Sequence, residues 1–146
     1  MNKIAFVLLI LGLIALSGCV SQKTYSVTTE GHSYYTTPSV NINDPELKKA
    51  DAEIKPILEE TFGGAKPVSV LNLQSGKIIV YLLPRKITQS VYKQLTEEII
   101  NQGYNITVQN ADNESFGFVM VKNDFGLLVG GNFDQDKISV SVINST

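Results

Sequence analysis

The chain has 146 residues, of which 43% are hydrophobic, and a formal net charge of −2 at pH 7. This length fits one small domain with an appendage. Lysines and arginines form no cluster that would neutralise a row of phosphates, so we expect no nucleic-acid partner. The nearest candidate, Lys48-Lys49, is typical of a solvated helix face. With Cys19 as its one cysteine, the chain cannot form an internal disulfide, so the fold must be stable through packing alone.

The chain begins with an apolar run, Ile4 to Leu16, that follows the single positive charge of Lys3. This pattern is typical of a secretory signal peptide, whose hydrophobic region spans about 7 to 15 residues. A transmembrane helix needs about 20 apolar residues, and the small residues at 17–19 interrupt this run earlier. The sequence therefore predicts a signal peptide over residues 1–18. An uncleaved anchor helix that extends to Val20 is the alternative.

The four residues Leu16-Ser17-Gly18-Cys19 resemble the lipobox of prokaryotic lipoproteins. The resemblance implies that a diacylglyceryl group is attached to the Cys19 sulfur and that a peptidase cuts between Gly18 and Cys19. The residue types suit this chemistry, because Ser17 and Gly18 are small enough to enter a protease cleft and a thiol is a soft nucleophile. We therefore expect a mature protein anchored through lipid on Cys19 to the extracytoplasmic face of the cell membrane or the outer membrane.

Residues 19–43 are rich in Ser, Thr, Tyr and Asn and poor in aliphatic side chains. This composition predicts a polar tether that holds the domain away from the bilayer. The alternation of residues 25–29 would alternatively form a weak hairpin, so that part of the tether packs on the domain. Two other interpretations of Cys19 are a core residue and a catalytic thiol. A catalytic thiol needs a base, and the only histidine, His32, lies in the predicted tether.

A first helix is predicted to begin at Asp44, which would cap it, with Pro45 at the first helical position. Apolar residues recur at steps of three and four until Gly63 ends the segment. Pro56 interrupts this pattern and should kink or split the helix. The apolar positions that should face the core are Leu47, Ala50, Ile54, Ile57, Leu58 and Phe62.

Six further segments have the composition of strands, and the segment from Thr88 to Gly103 has the cap, apolar stripe and stop of a second helix. A tight turn at Ser75-Gly76 should join the first two strands. Ile78 to Leu83 is apolar at both parities, so we expect a central strand that is covered on both faces. The segment from Ile78 through the second helix to Val108 would fit a right-handed crossover between neighbouring parallel strands.

This order of elements predicts an α+β fold over residues 44–146. The expected architecture is a two-layer sandwich, with a mainly antiparallel sheet of about six strands and two helices on one face. Residues 116–121 and 125–130 are apolar at both parities. Either the helices and the tether cover both sheet faces, or one face offers an apolar groove to a peptide, a lipid or a protein partner.

The sequence offers little that could hold a metal. Zinc sites use three or four Cys, His or carboxylate ligands, and the chain has only His32 beside the lipid-bearing Cys19. The oxygen-rich segments Asn110 to Ser115 and Asn132 to Lys137 are the candidates for calcium. Neither segment has the length and spacing of a known calcium loop, and both are more simply hairpin turns, in which Asn and Asp bond to their own backbone. We expect no metal and no cofactor.

No catalytic arrangement is visible either. The serines lack the sequence settings of known nucleophiles, and His32 is the only histidine. Asp134 and Asp136 would share a face only on an extended backbone, in an exposed turn that would not raise a carboxyl pKa. The pairs Glu59-Glu60 and Glu97-Glu98 are adjacent on helices and point in different directions. We therefore predict that the protein is not an enzyme.

Of three Asn-x-Ser/Thr sites, only Asn113 in a predicted turn is a candidate for glycosylation. The sequence as a whole predicts a lipid-anchored extracytoplasmic binding or assembly module of the cell envelope. Its partners would be the membrane, through Cys19, and a protein or peptide. The alternative is a small envelope enzyme that uses a carboxylate pair assembled by the fold.

Overall fold

The computed structural model describes residues 34–143. After a helical turn at residues 34–36, this part of the chain contains two helices and six strands in the predicted order. The helices are α1 (Pro45–Phe62) and α2 (Gln89–Asn101). The strands are β1 (Lys66–Leu73), β2 (Gly76–Leu82), β3 (Asn105–Ala111), β4 (Ser115–Lys122), β5 (Phe125–Asn132) and β6 (Lys137–Ile143).

Helix α1 begins and ends as its sequence predicts. The Asp44 side chain accepts hydrogen bonds from two backbone N–H groups of the first turn, at 3.0 and 3.2 Å. Gly63 follows the helix in the left-handed conformation, with a φ of 86°. Of the kink or split expected at Pro56, the split is wrong, because α1 is continuous. Pro56 and Ala52, whose carbonyl loses its helical partner, are both exposed, so water can satisfy that carbonyl.

The six strands form one sheet in the order β1-β2-β6-β5-β4-β3, and every neighbouring pair is antiparallel. The expected crossover between parallel neighbours is wrong. Strands β2 and β3 run in the same direction, but β6, β5 and β4 lie between them. The last strand, β6, pairs with β2, and Val140 lies opposite Ile79. Helix α2 connects β2 to β3 at the other edge of the sheet.

The turn between β1 and β2 also differs from the expectation. It consists of Gln74 and Ser75, one residue earlier than predicted, because Gly76 already pairs with Leu73 as the first residue of β2. The expectation that β2 is central and buried on both faces is confirmed. It lies between β1 and β6, and its last five residues are buried.

Both helices pack on one face of the sheet, so the predicted α+β two-layer architecture is confirmed. One large buried cluster combines the apolar stripes of α1 and α2 with alternate residues of the central strands. All six predicted core positions of α1 belong to it. Four aromatic rings of this cluster pack together near β4, with contacting centroids 4.7 to 6.3 Å apart: Tyr92, Phe116, Phe118 and Phe133.

The second face of the sheet carries a smaller apolar cluster without a residue from either helix. Ile78, Val80 and Leu128 form it, and they are buried. Ser139 and Ser141 are buried polar residues of the adjacent strand, and the Ser139 hydroxyl donates to the Gly130 carbonyl at 3.3 Å. The two helices therefore cover one face only, while small residues occupy much of the other.

The last ten residues of the predicted tether, 34–43, lie against the domain. The Val40 N–H donates to the Pro67 carbonyl at 2.8 Å, which extends the hydrogen bonding past the edge of β1. Ile42 packs against the large core cluster. The rest of the predicted tether and the predicted signal peptide lie outside the described residues. Neither helix within 34–143 is long and apolar enough to cross a membrane.

Candidate functional site: a lysine-lined cleft

The predicted site residues are divided between the two parts of the chain. Leu16, Ser17, Gly18 and Cys19, together with His32, lie outside the described residues. Asn113 is exposed in the turn between β3 and β4, as expected for a glycosylation candidate.

One carboxylate oxygen of the first calcium candidate bonds to the backbone of the turn itself. In the segment from Asn110 to Ser115, the Asp112 carboxylate accepts from the backbone N–H groups of Glu114 and Ser115, at 2.7 and 2.8 Å. These hydrogen bonds lower the pKa of Asp112. Such bonding is typical of a hairpin turn, and it leaves this carboxylate oxygen committed to the backbone.

The second calcium candidate, Asn132 to Lys137, is bonded to the segment that follows β2. The carbonyls of Gln135 and Asp136 accept from backbone N–H groups of residues 87 and 83, at 2.8 and 2.7 Å. Asp134 has a φ of 63°, so the backbone is not extended and the two aspartates do not share a strand face. Within residues 34–143, no group of three or more His, Cys, Asp or Glu side chains could hold a metal ion.

Two carboxylates do converge, at the beginning of α1. The Lys77 ammonium lies 2.6 Å from Asp44 Oδ2 and 3.4 Å from Glu46 Oε1. Its hydrogen bond holds the pKa of Asp44 below the ordinary range. A general acid requires a raised carboxyl pKa. The ion pair of Lys77 with Asp44 therefore stabilises the beginning of α1 and does not supply a proton.

Two tyrosines donate to carboxylates on α1. The Tyr81 hydroxyl lies 2.6 Å from Asp51 Oδ1, and the Tyr104 hydroxyl donates to Glu53. Burial, and then the neighbouring carboxylate, raise the pKa of both tyrosines. Both hydroxyls stay protonated and act as donors. Tyr81 therefore fixes α1 to β2, and Tyr104, the residue before β3, fixes α1 to the beginning of that strand.

An open cleft of about 450 Å³ lies between α1, the start of β1 and residues 39–42. The helix forms one wall through Lys48, Asp51 and Lys55, and Lys66 of β1 lies opposite. Spacings of three and four residues place the α1 side chains on one helix face. Three lysines and one aspartate thus line the cleft, on a chain whose net charge is negative.

Lys66 holds Tyr34, which is part of the cleft wall, in place. Its ammonium donates to the carbonyls of Tyr34 and Thr37, the latter at 2.9 Å, and lies 4.7 Å from the Tyr34 ring centroid. Partial burial, followed by the charge of Glu59, raises the pKa of Tyr34. A Cβ atom on Gly64 would lie 2.6 Å from the Tyr34 hydroxyl oxygen, so glycine leaves room for this ring.

The charge and the hydrogen-bond donors of the cleft would suit an anion. Ammonium groups on a partly enclosed wall attract anionic oxygens and donate hydrogen bonds to them. The sequence interpretation missed it, because Lys48 was assigned to a solvated helix face. The seven-residue spacing of Lys48 and Lys55 was a local signal, but no local pattern indicates that Lys66 and residues 39–42 lie opposite.

Comparison with known proteins adds no relative: no family model, no curated protein and no solved structure matches the chain.

Proposed function

We propose that this protein is a lipid-anchored extracytoplasmic binding or assembly module of the cell envelope. Lipid on Cys19 attaches it to the membrane, and the lysine-lined cleft is its binding surface. The leader and the lipobox-like residues at 16–19 support the attachment.

The position of the cleft is the observation that carries the proposal. Tyr34, the first described residue, is part of the cleft wall. Only residues 20–33 separate it from Cys19, and at about 3.3 Å per residue they span at most about 50 Å. If lipid on Cys19 anchors the chain, the cleft lies within about 50 Å of the bilayer, which supports the cleft as the binding surface of an anchored module.

The anchoring is tested by detergent phase partitioning and by metabolic labelling with a radioactive fatty acid. Wild-type protein should be labelled and enter the detergent phase, whereas Cys19→Ala should be unlabelled and retain its signal peptide, because only the thiol accepts the lipid. Ser21→Ala, a change just beyond the lipobox-like residues, serves as the matched control and should behave as wild type.

Protease treatment of cells with a permeabilised outer layer tests the location. The domain should be degraded while a cytoplasmic marker stays intact. Equal labelling and processing of the Cys19→Ala protein would contradict the anchoring, and protection of the domain in such cells would contradict the extracytoplasmic location.

A further inference from the structure

Two lysines of the cleft wall have no partner within the described part of the chain. Lys48 and Lys55 are seven residues apart on α1, which is about two turns, so their stems leave the same face of the helix. No salt bridge or hydrogen bond joins either ammonium to a described residue.

Asp51 lies between these lysines but does not pair with either of them. One of its carboxylate oxygens accepts the 2.6 Å hydrogen bond from Tyr81, which is fully buried and stays protonated. Lys66 adds a third positive charge at the opposite wall, where backbone carbonyls and a ring fix its position. The cleft therefore keeps an excess of positive charge that no described side chain neutralises.

The donors suit one class of anion. Lysine presents a compact charge with three N–H donors and imposes no planar geometry, which fits the tetrahedral oxygens of a phosphate. Arginine, whose planar fork matches a carboxylate, is absent from the cleft lining. Ser39 and Asn41 add neutral hydrogen-bonding groups, and a volume of about 450 Å³ suits a small ligand or a lipid headgroup.

We infer that the cleft binds a phosphate-bearing anion through Lys48 and Lys55. The phosphate is either that of an anionic phospholipid headgroup or that of a soluble ligand. The headgroup source rests on the proposed membrane anchoring, which would hold the cleft close to the bilayer. Binding of phosphate itself does not depend on the anchor, so the two proposals fail separately.

The test uses the full chain in a neutral detergent, at constant ionic strength. Isothermal titration calorimetry measures the binding of two probes: inorganic phosphate, with chloride as the reference anion, and dioctanoyl phosphatidylglycerol, with dioctanoyl phosphatidylcholine as its reference. The variants are Lys48→Gln, Lys55→Gln and their combination. Lys49→Gln and Lys93→Gln remove the same charge from exposed positions that do not line the cleft, and serve as matched controls.

We expect each cleft substitution to weaken binding about fivefold and the combination about 25-fold, while the controls stay within about twofold of wild type. Glu59→Gln should strengthen binding slightly, because it removes a negative charge close to Tyr34. Binding of both probes, or of only one, supports the inference and identifies the source. Binding of neither probe, or equal weakening by the control substitutions, would overturn it.

Discussion

The two ends of the sheet differ in their contacts with the helices: both have polar contacts, at the β3 end from Tyr104 to Glu53 and from Gln109 to Tyr92, but the cluster of aromatic rings lies at the β3–β4 end. At the β3–β4 end, four aromatic rings form a continuous apolar cluster under α2. At the β1–β2 end, polar contacts are prominent: Tyr81 donates to Asp51, Lys77 bridges to the start of α1, and Lys66 holds residues 34–37.

The difference separates the region that should contribute most to stability from the region that leaves charged groups accessible. Burying aromatic rings removes large apolar areas from water, and closely packed rings tolerate few substitutions. The β3–β4 end should therefore contribute most to the free energy of unfolding. Polar contacts near the surface contribute less to this free energy but leave charged groups accessible. The cleft lies at the polar end, where a ligand can approach without disturbing the aromatic core.

The largest expected effect comes from removing a ring at the aromatic end. Phe116→Ala should lower the free energy of unfolding by about 3 to 5 kcal/mol, because Phe116 is fully buried and touches other rings. Tyr34→Ala removes a ring of similar size at the polar end, where it is only partly buried, and should cost about 1 kcal/mol. Urea denaturation measures both. Equal losses would contradict the division between the ends.

A smaller effect is expected from Gly64→Ala. Its methyl group would lie 2.6 Å from the Tyr34 hydroxyl oxygen and 3.3 Å from Cζ, so the ring must move away from the cleft wall. The expected cost is about 1 kcal/mol. In a double-mutant cycle, Gly64→Ala should cost almost nothing in a Tyr34→Ala background, because the clash is then absent. Full additivity of the two losses would show that Tyr34 does not occupy this position.

The smallest effect concerns the charge at the beginning of α1. Asp44→Asn keeps a side chain that caps the helix but removes the charge that pairs with Lys77. Because pairing lowers the folded-state pKa of Asp44 below its ordinary value of 3.8, its contribution to stability is present above pH 4. That contribution is lost as the pH falls through the folded-state pKa.

The wild type should therefore exceed Asp44→Asn in stability at pH 7, and the difference should shrink towards pH 2. Thermal unfolding across this pH range measures it. A difference that does not depend on pH would show that the cap, and not the charge, stabilises this helix start.

The sequence predicts the elements of this fold better than their arrangement. Asp44, Gly63 and Thr88 act within a few residues along the chain, and all three take the capping roles that their neighbours indicate. The place of β6 depends on its pairing with β2, about 60 residues earlier in the chain, and local pattern does not encode it. An alternating strand such as β6 can pair with several neighbours equally well. The crossover expectation therefore placed β3 beside β2, where the structure has β6.

The same reason explains why the cleft was missed. Lys48 and Lys55 are one local pair, but the opposite wall comes from Lys66 and from residues that the sequence assigned to a tether. Val40 contacts Pro67 through one backbone hydrogen bond, and no side-chain pattern in the sequence predicts this contact. Asp134 and Asp136, two carboxylates considered from the sequence, do not share a strand face, because Asp134 itself adopts a left-handed conformation that only the structure shows.

The central claim is that lipid on Cys19 anchors this domain, and the mass of the intact protein tests it most directly. Protein extracted from membranes of a lipoprotein-processing bacterium should begin at Cys19 and carry the added mass of a diacylglyceryl group on that residue. A mature chain that begins at Cys19 without lipid, or one that retains Met1 and the leader, would contradict the claim.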